Sequence, residues 1–255
     1  MTSRPSVNRP SRNADAPWGL FNPAAYVDQN YRYLHEDDAA MLCIVRDHFA
    51  DHFRNHDGGL VSGLDAGAGA NLYPALAMLP WCDEITLLER APSNVEYLAG
   101  QLPSYGTHWD PFWDALCERE AYRSLVPDPR DRVRGAVRVQ QGDIFDLSRH
   151  EGRWSVGTMF FVAESMSELR QEFDTGVKRF MRALAPGAPF AAAFMAESCG
   201  YIVGGQHFPA CAVDERDVHA SLESCTADFK VVRPSPRAGV RTGYEGVILA
   251  YGWRR

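Results

Sequence analysis

The stretch that decides the fold is Leu60-Val-Ser-Gly-Leu-Asp65-Ala-Gly67-Ala-Gly69, in which a short apolar run ends in an acid and leads straight into a glycine turn. A run with helical character follows, from about Leu72 to Leu79. Strand, glycine turn and helix together are the opening of an α/β nucleotide-binding unit.

The same alternation continues along the chain. Strands are predicted at 84–89, 137–140, 154–162 and 189–195, and helices at 92–102 and 168–184. Alternating strands and helices favour a parallel sheet covered on both faces. Two β-rich runs close together near the C-terminus, 229–233 and 245–253, predict antiparallel strands that complete a doubly wound, Rossmann-like α/β sheet of seven strands.

The rest of the chain is predicted to belong to one domain. Residues 1–17 carry little apolar surface and predict a disordered tail, so the domain spans 18–255. Within it, 18–56 begins with dense aromatic residues and ends in an amphipathic helix, which indicates an N-terminal lid with helices. Residues 103–136 interrupt the alternation and are interpreted as an insertion.

Composition excludes several classes of partner. The 255 residues include 33 acids and 26 bases, a net charge of −7, and this balance argues against nucleic acids and anionic membranes. Six scattered cysteines indicate a reducing compartment, and no run approaches eighteen apolar residues. We therefore expect a cytoplasmic enzyme of small molecules, either a monomer or a homodimer.

The glycine turn and two later acids indicate an adenosine-binding site. Gly67 and Gly69 let the backbone pass close to a ligand, and Glu89 at the end of the second strand can accept both ribose hydroxyls. A dinucleotide site needs a small residue where this chain has Leu72, and the carboxylate of Asp65 would repel a pyrophosphate. Both departures favour S-adenosylmethionine (SAM) over NAD as the cofactor.

A second acid follows the third predicted strand. Asp143 can accept a hydrogen bond from the adenine amino group, while the backbone amide of Ile144 donates to the ring. This position, after the third strand of the same sheet, makes the pair a candidate adenine site.

Three histidines spaced by four residues lie on the first helix. His48, His52 and His56 could bind a divalent metal, but no acid or cysteine completes the set. We interpret them as one face of a helix and predict no metal site.

Taken together, these motifs resemble the small-molecule methyltransferases that act on nicotinamide, phenylethanolamine, indolethylamine and thioethers. The resemblance extends from about Phe21 to most of the chain. It is carried by Phe21-Asn-Pro with Tyr26 and Tyr31, Asp65-Ala-Gly-Ala-Gly69 with Tyr73-Pro74, Glu89 with Asn94, Asp143-Ile144, Leu184-Ala-Pro-Gly187, and Tyr201-Ile-Val-Gly-Gly-Gln-His-Phe208.

The resemblance implies roles for individual residues. Tyr26, Tyr31 and Tyr73 would line the methionine end of SAM, and Asn94 would lie near the adenosine. Glu164 and His207 would orient the methyl acceptor and take up its proton, with Phe161, Phe194 and Tyr201 as the acceptor-binding residues.

One departure from the family concerns the acceptor. Where relatives that bind nicotinamide or catecholamine carry an acid late in the fifth strand, this chain has Phe194. The expected acceptor is therefore a flat aromatic molecule methylated on nitrogen or on an electron-rich carbon, with indole carbon 3 of a tryptophan-derived cyclic dipeptide as a specific candidate. The alternatives are an arylalkylamine or heteroaromatic amine as acceptor, a non-catalytic SAM-binding module, and an NAD-dependent oxidoreductase.

Overall fold

A central seven-stranded sheet organises the protein. The structure, a computed structural model, describes residues 11–54, 58–125, 128–234 and 245–255. The strands in chain order are β1 (Val61–Ala66), β2 (Cys82–Glu89), β3 (Val137–Gln141), β4 (Val156–Phe160), β5 (Pro189–Met195), β6 (Tyr201–Val203), β7 (Gln206–Phe208), β8 (Thr226–Val232) and β9 (Val247–Arg254). The sheet order is β3-β2-β1-β4-β5-β9-β8, while β6 and β7 form a separate two-stranded hairpin.

The direction of the strands confirms the predicted fold class. Strands β1 to β5 are parallel, and β9 and β8 complete the sheet in antiparallel fashion, as the C-terminal β-rich runs predict. The sheet order reverses direction at β1, which has β2 on one side and β4 on the other. In open parallel sheets, ligands bind beyond the carboxyl ends of the strands at such a point.

Helices cover both faces of this sheet. Their bounds are α1 (Pro23–Asn30), α2 (Glu36–Phe53), α3 (Tyr73–Met78), α4 (Pro92–Gln101), α5 (Asp110–Leu116), α6 (Glu120–Arg123), α7 (Pro129–Ala136), α8 (Arg170–Ala183) and α9 (Glu215–Leu222). One apolar core joins α2, α3 and α5 to the sheet, and a second joins α8 and α9 to it. Within the described ranges, no helix is both long and apolar enough to cross a membrane.

Helix α2 belongs to the core. Met41, Leu42, Val45 and Phe49 recur at the spacing of one helix face, and all four are fully buried. The α2 part of the predicted lid therefore belongs to the core of the domain.

The predicted insertion at 103–136 folds into short helices packed against α2. Buried Arg46 of α2 donates to the carbonyl oxygen of Ala115 at 2.7 Å and pairs with Glu118 at 2.5 Å. Leu116 and Tyr122 contribute fully buried side chains to the same core. The described residues of this segment thus pack into the same apolar core as α2.

The predicted disordered tail is corrected for residues 11–17; residues 1–10 lie outside the described ranges. Asn13, in a short 3-10 helix, is only 2% exposed, and its backbone N–H donates to the Glu172 carboxylate at 2.8 Å. The Ser11 N–H donates to the carboxylate of Glu168 at 2.9 Å. Hydrogen bonds to these two distant carboxylates hold the segment in place, and they compensate for the small apolar surface that it buries.

Candidate functional site

A cavity of about 560 Å³ opens beyond the carboxyl ends of β1 to β5. On the β2 and β3 side it is lined by Glu89, Asn94, Asp143 and Ile144, and on the β4 and β5 side by Phe161, Met195, Tyr201 and His207. The glycine turn after β1 lies between these two sets. The sheet order therefore divides the cavity into two halves, which we name after the ligands that the sequence predicts for them: the adenosine half and the acceptor half.

The glycine turn follows the conformation that its sequence predicts. Gly67 and Gly69 have φ angles of +72° and +62°, a region that favours glycine. A Cβ atom on Gly67 would lie 2.5 Å from Cγ1 of Val162, whereas one on Gly69 would meet no atom closer than 4.0 Å. Gly67 is therefore required by packing, and Gly69 leaves open cavity where a side chain would stand.

Glu89 lies at the floor of the adenosine half. One carboxylate oxygen accepts the Gly69 N–H at 2.7 Å, and the other accepts the Ala91 N–H at 2.6 Å and the Asn94 side-chain amide at 3.4 Å. Burial raises the pKa of Glu89 even though these donors act in the opposite direction. The donors hold the carboxylate in one orientation, as a group that binds a ribose must be held.

Asp143 forms the far wall of this half. It pairs with Arg90 and accepts the Phe145 N–H at 2.9 Å. The side-chain amide of Asn13 also reaches both of its oxygens, at 3.2 and 3.4 Å. The carboxylate that the sequence predicts as a hydrogen-bond acceptor therefore lies in the cavity wall just after β3.

The three predicted tyrosines form one cluster, but they do not all line the cavity. Tyr26 and Tyr31 line it and meet edge to face with ring centroids 5.6 Å apart. Tyr73 is fully buried behind Tyr31, and its hydroxyl donates to Asp38 at 3.2 Å. The expected direct contact of Tyr73 with a ligand is therefore replaced by support of Tyr31.

Asp65 also lies behind the cavity lining. It is 1% exposed and accepts a hydrogen bond from the Thr158 hydroxyl at 2.8 Å. Its second oxygen has no partner among the described residues, and burial raises its pKa to about 7. Asp65, which the sequence places beside the ligand at the glycine turn, therefore lies outside the cavity lining and is held by Thr158 of β4.

The acceptor half is walled by aromatic and apolar groups. Phe161 has a φ of +60°, an unusual conformation for a bulky residue, and its N–H donates to Ala193 O at 2.7 Å. Tyr201 stacks on Phe208 with centroids 5.5 Å apart, and Phe208 stacks on Trp18 at the same distance. Backbone strain of this kind often occurs at functional sites, where it directs a side chain toward a ligand.

Phe194 does not take part in this wall, which corrects its assignment as an acceptor-binding residue. Its side chain is fully buried against α8, with its ring centroid 5.7 Å from that of Phe173. Successive side chains of a strand point to opposite faces, so its neighbour Met195 lines the cavity instead.

Glu164 likewise lies outside the cavity lining. It is fully buried, and one of its oxygens accepts the Met195 N–H and the Ser165 hydroxyl, both at 3.0 Å. Burial raises its pKa to about 7. Glu164 therefore braces the end of β5, while His207, exposed on β7, lines the cavity.

Several residues of the cavity escaped the sequence argument. Asn13, Trp18, Arg90, Met195 and Ser198 all line it. The hairpin that carries Tyr201 and His207 is also missing from the strands predicted above, although the Gly204-Gly205 pair between two short runs is a hairpin signal.

The histidines of α2 are explained by their contacts with β9. His48 Nε2 lies 3.1 Å from the carbonyl oxygen of Gly252, and Trp253 donates to His52 at 3.0 Å. His56 lies outside the described residues. No group of three or more metal-ligating side chains occurs in the ranges that the structure describes.

Solved structures share this fold. A SAM-dependent methyltransferase from Methanosarcina mazei is 16% identical, with 80% of this chain and 97% of that chain covered at a TM-score of 0.53. The N-methyltransferase NodS from Bradyrhizobium japonicum WM9, in complex with S-adenosyl-L-homocysteine, is 14% identical, with 90% of each chain covered at a TM-score of 0.52. These likenesses concern the fold alone, and a comparison with curated proteins finds no match.

Family membership is shown by the sequence itself. The model of the NNMT/PNMT/TEMT family matches residues 14–251, which is nearly the whole described chain. The match includes β1 with its glycine turn, Glu89, Asp143 and the hairpin over the cavity. The chain therefore belongs to the NNMT/PNMT/TEMT family of SAM-dependent small-molecule methyltransferases.

Proposed function

We propose that the protein methylates a small, neutral aromatic molecule on a nitrogen or an electron-rich carbon, with an indole as the first acceptor class to test. The observation that carries this proposal is the distribution of charge along the cavity. Among the described lining residues, the carboxylates are Glu89 and Asp143, and both belong to the adenosine half.

The adenosine half fits the cofactor of the family. Glu89 would hold the ribose and Asp143 the adenine, with the glycine turn passing beneath and Tyr26 and Tyr31 enclosing the methionine end. Bound SAM supplies a methyl group on a positively charged sulfur. The open space beside Gly69 is where such a ligand fits, because a side chain there would fill the cavity.

Among the described lining residues, the acceptor half offers no carboxylate to a cationic amine acceptor. Desolvating an ammonium group without a carboxylate or a comparable acceptor costs several kcal/mol. Phe161, Tyr201 and Met195 offer ring faces and a thioether instead. These groups favour a flat, uncharged ring and disfavour the alternative of an arylalkylamine acceptor.

The residues of the chain contribute mainly alignment and exclusion of water. The stacked rings of Trp18, Phe208 and Tyr201 cover the acceptor half from the hairpin side. An in-line attack on the methyl group is favoured when the nucleophile is held at van der Waals distance in a dry site. His207 lines the same half and can accept the proton that an indole or amine loses.

Glu164 acts on this chemistry through position. Its hydrogen bonds to the Met195 N–H and the Ser165 hydroxyl fix the backbone beside the acceptor half. We infer that Glu164 is a positioning residue and that His207 is the group that touches the acceptor.

The experiment that tests this proposal compares two acceptors with one ring system. Tryptamine carries an ammonium group at neutral pH, and N-acetyltryptamine is its neutral counterpart; a tryptophan-containing cyclic dipeptide extends the neutral set. Each is incubated with the enzyme and SAM, and methylated product is measured by mass spectrometry. We expect kcat/KM for the neutral acceptors to exceed that for tryptamine by at least tenfold.

Two results would contradict the proposal. A preference for tryptamine would restore the arylalkylamine alternative. Calorimetric binding of SAM without conversion of any member of a broad amine, indole and thiol panel would indicate a non-catalytic SAM-binding module.

The roles of His207 and Glu164 are separated by two variants. His207→Ala is expected to lower kcat, with SAM affinity unchanged. Glu164→Gln keeps an oxygen that can accept the Met195 N–H, so its kcat should stay within a few fold of the wild type. If His207→Ala retains wild-type turnover at every pH, the proton is taken up by another group.

A further inference from the structure

The N-terminal segment Ser11–Trp18, which we name the strap, crosses the adenosine half of the cavity. Most of its anchors lie far away in sequence. Ser11 accepts the Glu168 N–H at 2.9 Å and the Ser167 hydroxyl at 3.2 Å, in addition to donating to the Glu168 carboxylate. Asn13 donates its N–H to Glu172. These bonds attach the strap to the segment that leads into α8.

The side chain of Asn13 is fixed in a single orientation. The indole N–H of Trp18 donates to the side-chain oxygen of Asn13 at 3.1 Å and to its carbonyl oxygen at 3.0 Å. The side-chain oxygen of Asn13 therefore accepts from Trp18, and its side-chain nitrogen faces Asp143. Asn13 is nearly completely buried and lines the cavity, yet it precedes the residues 14–251 that match the family.

A count of donors shows what the wall can still bind. A carboxylate has about four acceptor sites. Asp143 receives three donor groups, from Arg90, the Phe145 N–H and the Asn13 amide. The Asn13 nitrogen lies 3.2 and 3.4 Å from the two carboxylate oxygens, so it is one donor shared between them, and one acceptor site is left for a further donor. The Asn13 amide has two N–H groups, and Asp143 is the acceptor that the described residues provide for its nitrogen.

We propose that Asn13 is a cofactor-binding residue, whose amide donates a hydrogen bond to an adenine ring nitrogen while Asp143 accepts from the adenine amino group. The inference rests on the proposed function of the adenosine half. Adenine carries a ring nitrogen on each side of the carbon that bears its amino group, so a paired acceptor and donor matches that edge. Glu172 and Trp18 are positioning residues, because they hold Asn13 without lining up with the adenine edge themselves.

The test measures binding of S-adenosylhomocysteine (SAH) by calorimetry, so that it does not depend on the acceptor. Asn13→Ala is expected to weaken SAH binding about 3- to 10-fold, the range of one neutral hydrogen bond. Asp15→Ala is the matched control, since Asp15 is exposed on the same short helix, and its affinity should equal that of the wild type.

Two analogues of SAH identify the contact. The 1-deaza and 7-deaza analogues each replace one ring nitrogen with C–H. Compared with SAH, one of the two analogues should bind the wild type more weakly, by a factor similar to the effect of Asn13→Ala. The same analogue should bind the Asn13→Ala variant as well as SAH does. If both analogues lose the same factor in the wild type and in Asn13→Ala, or if Asn13→Ala binds SAH as the wild type does, the proposal is wrong.

A variant pair distinguishes positioning from general stability. Glu172→Ala should weaken SAH binding to a similar extent as Asn13→Ala, and Glu172→Gln should restore it because an amide oxygen can still accept the Asn13 N–H. Equal affinity of both Glu172 variants with the wild type would overturn the positioning role. A wild-type protein that binds no SAH would instead contradict the proposed function of the adenosine half.

Discussion

Substitution of Gly67 by alanine tests the packing of the glycine turn directly. An L residue in the left-handed region costs about 1–2 kcal/mol. The new methyl group would stand 2.5 Å from Cγ1 and 2.7 Å from Cγ2 of Val162, and such overpacking costs about 1–3 kcal/mol. We expect Gly67→Ala to lower the free energy of unfolding by about 2–5 kcal/mol.

Gly69→Ala is the matched control for this substitution. Its φ of +62° carries the same backbone cost, but the methyl group would project into the cavity without contact. The loss of stability should therefore stay at about 1–2 kcal/mol, while SAH binding weakens because the cavity is partly filled.

The assay is urea unfolding monitored by circular dichroism, with a double-mutant cycle. Val162→Ala removes both of the crowded methyl groups, so the cycle with Gly67→Ala should show a favourable coupling of about 1–3 kcal/mol. A coupling below about 0.5 kcal/mol would refute the reasoning, since additive effects mean that the two groups do not meet.

Three further predictions concern the core, the pH dependence and the ribose site. Phe194→Ala should lower the free energy of unfolding by about 3–5 kcal/mol and leave the SAH affinity and the KM for the acceptor unchanged. A changed KM would mean that Phe194 does contact the acceptor. Burial lowers the pKa of His48 to about 4 from an ordinary 6.5. Between these two pH values the unfolded chain binds a proton at this histidine and the folded chain does not. The free energy of unfolding should therefore fall by about 3 kcal/mol as the pH drops from 6.5 to 4. His48→Phe should flatten that profile, as unfolding experiments at each pH would show. Glu89→Gln should weaken SAH binding about 10- to 150-fold, the range for hydrogen bonds to a charged group, and calorimetry showing less than threefold would remove Glu89 from the ribose site.

The fold was predictable because its signals are local. The apolar run that ends at Asp65 and the glycine turn after it define one strand, one turn and one helix within 20 residues. Glu89 and Asp143 then follow from their positions at the ends of the neighbouring strands β2 and β3. Each of these inferences uses only the order of residues along the chain.

The side-chain directions at the end of β5 could not be obtained in this way. Residues 189–194 of this strand are buried on both faces, so the side chains of both faces are apolar. When both faces of a strand are buried, the alternation of its side chains does not indicate which face lines the cavity. Met195 therefore holds the place in the cavity wall that the sequence predicts for Phe194.

The ordered conformation of the strap could not be predicted from neighbouring residues in the sequence either. Asn13 is buried by partners 130 and 159 residues away, Asp143 and Glu172. The composition of residues 11–17 resembles that of a disordered tail because hydrogen bonds, rather than apolar contacts, hold the segment. Such bonds depend on which distant carboxylates the fold brings near.

The positive φ of Phe161 has a consequence for changing the acceptor range of the enzyme. Most wall residues of a binding site contribute to stability, so emptying the wall weakens the protein. Phe161→Gly would open the acceptor half and at the same time relieve a backbone conformation that costs about 1–2 kcal/mol. In a directed-evolution library, this position is therefore where a larger substrate can be admitted with the least loss of folded protein.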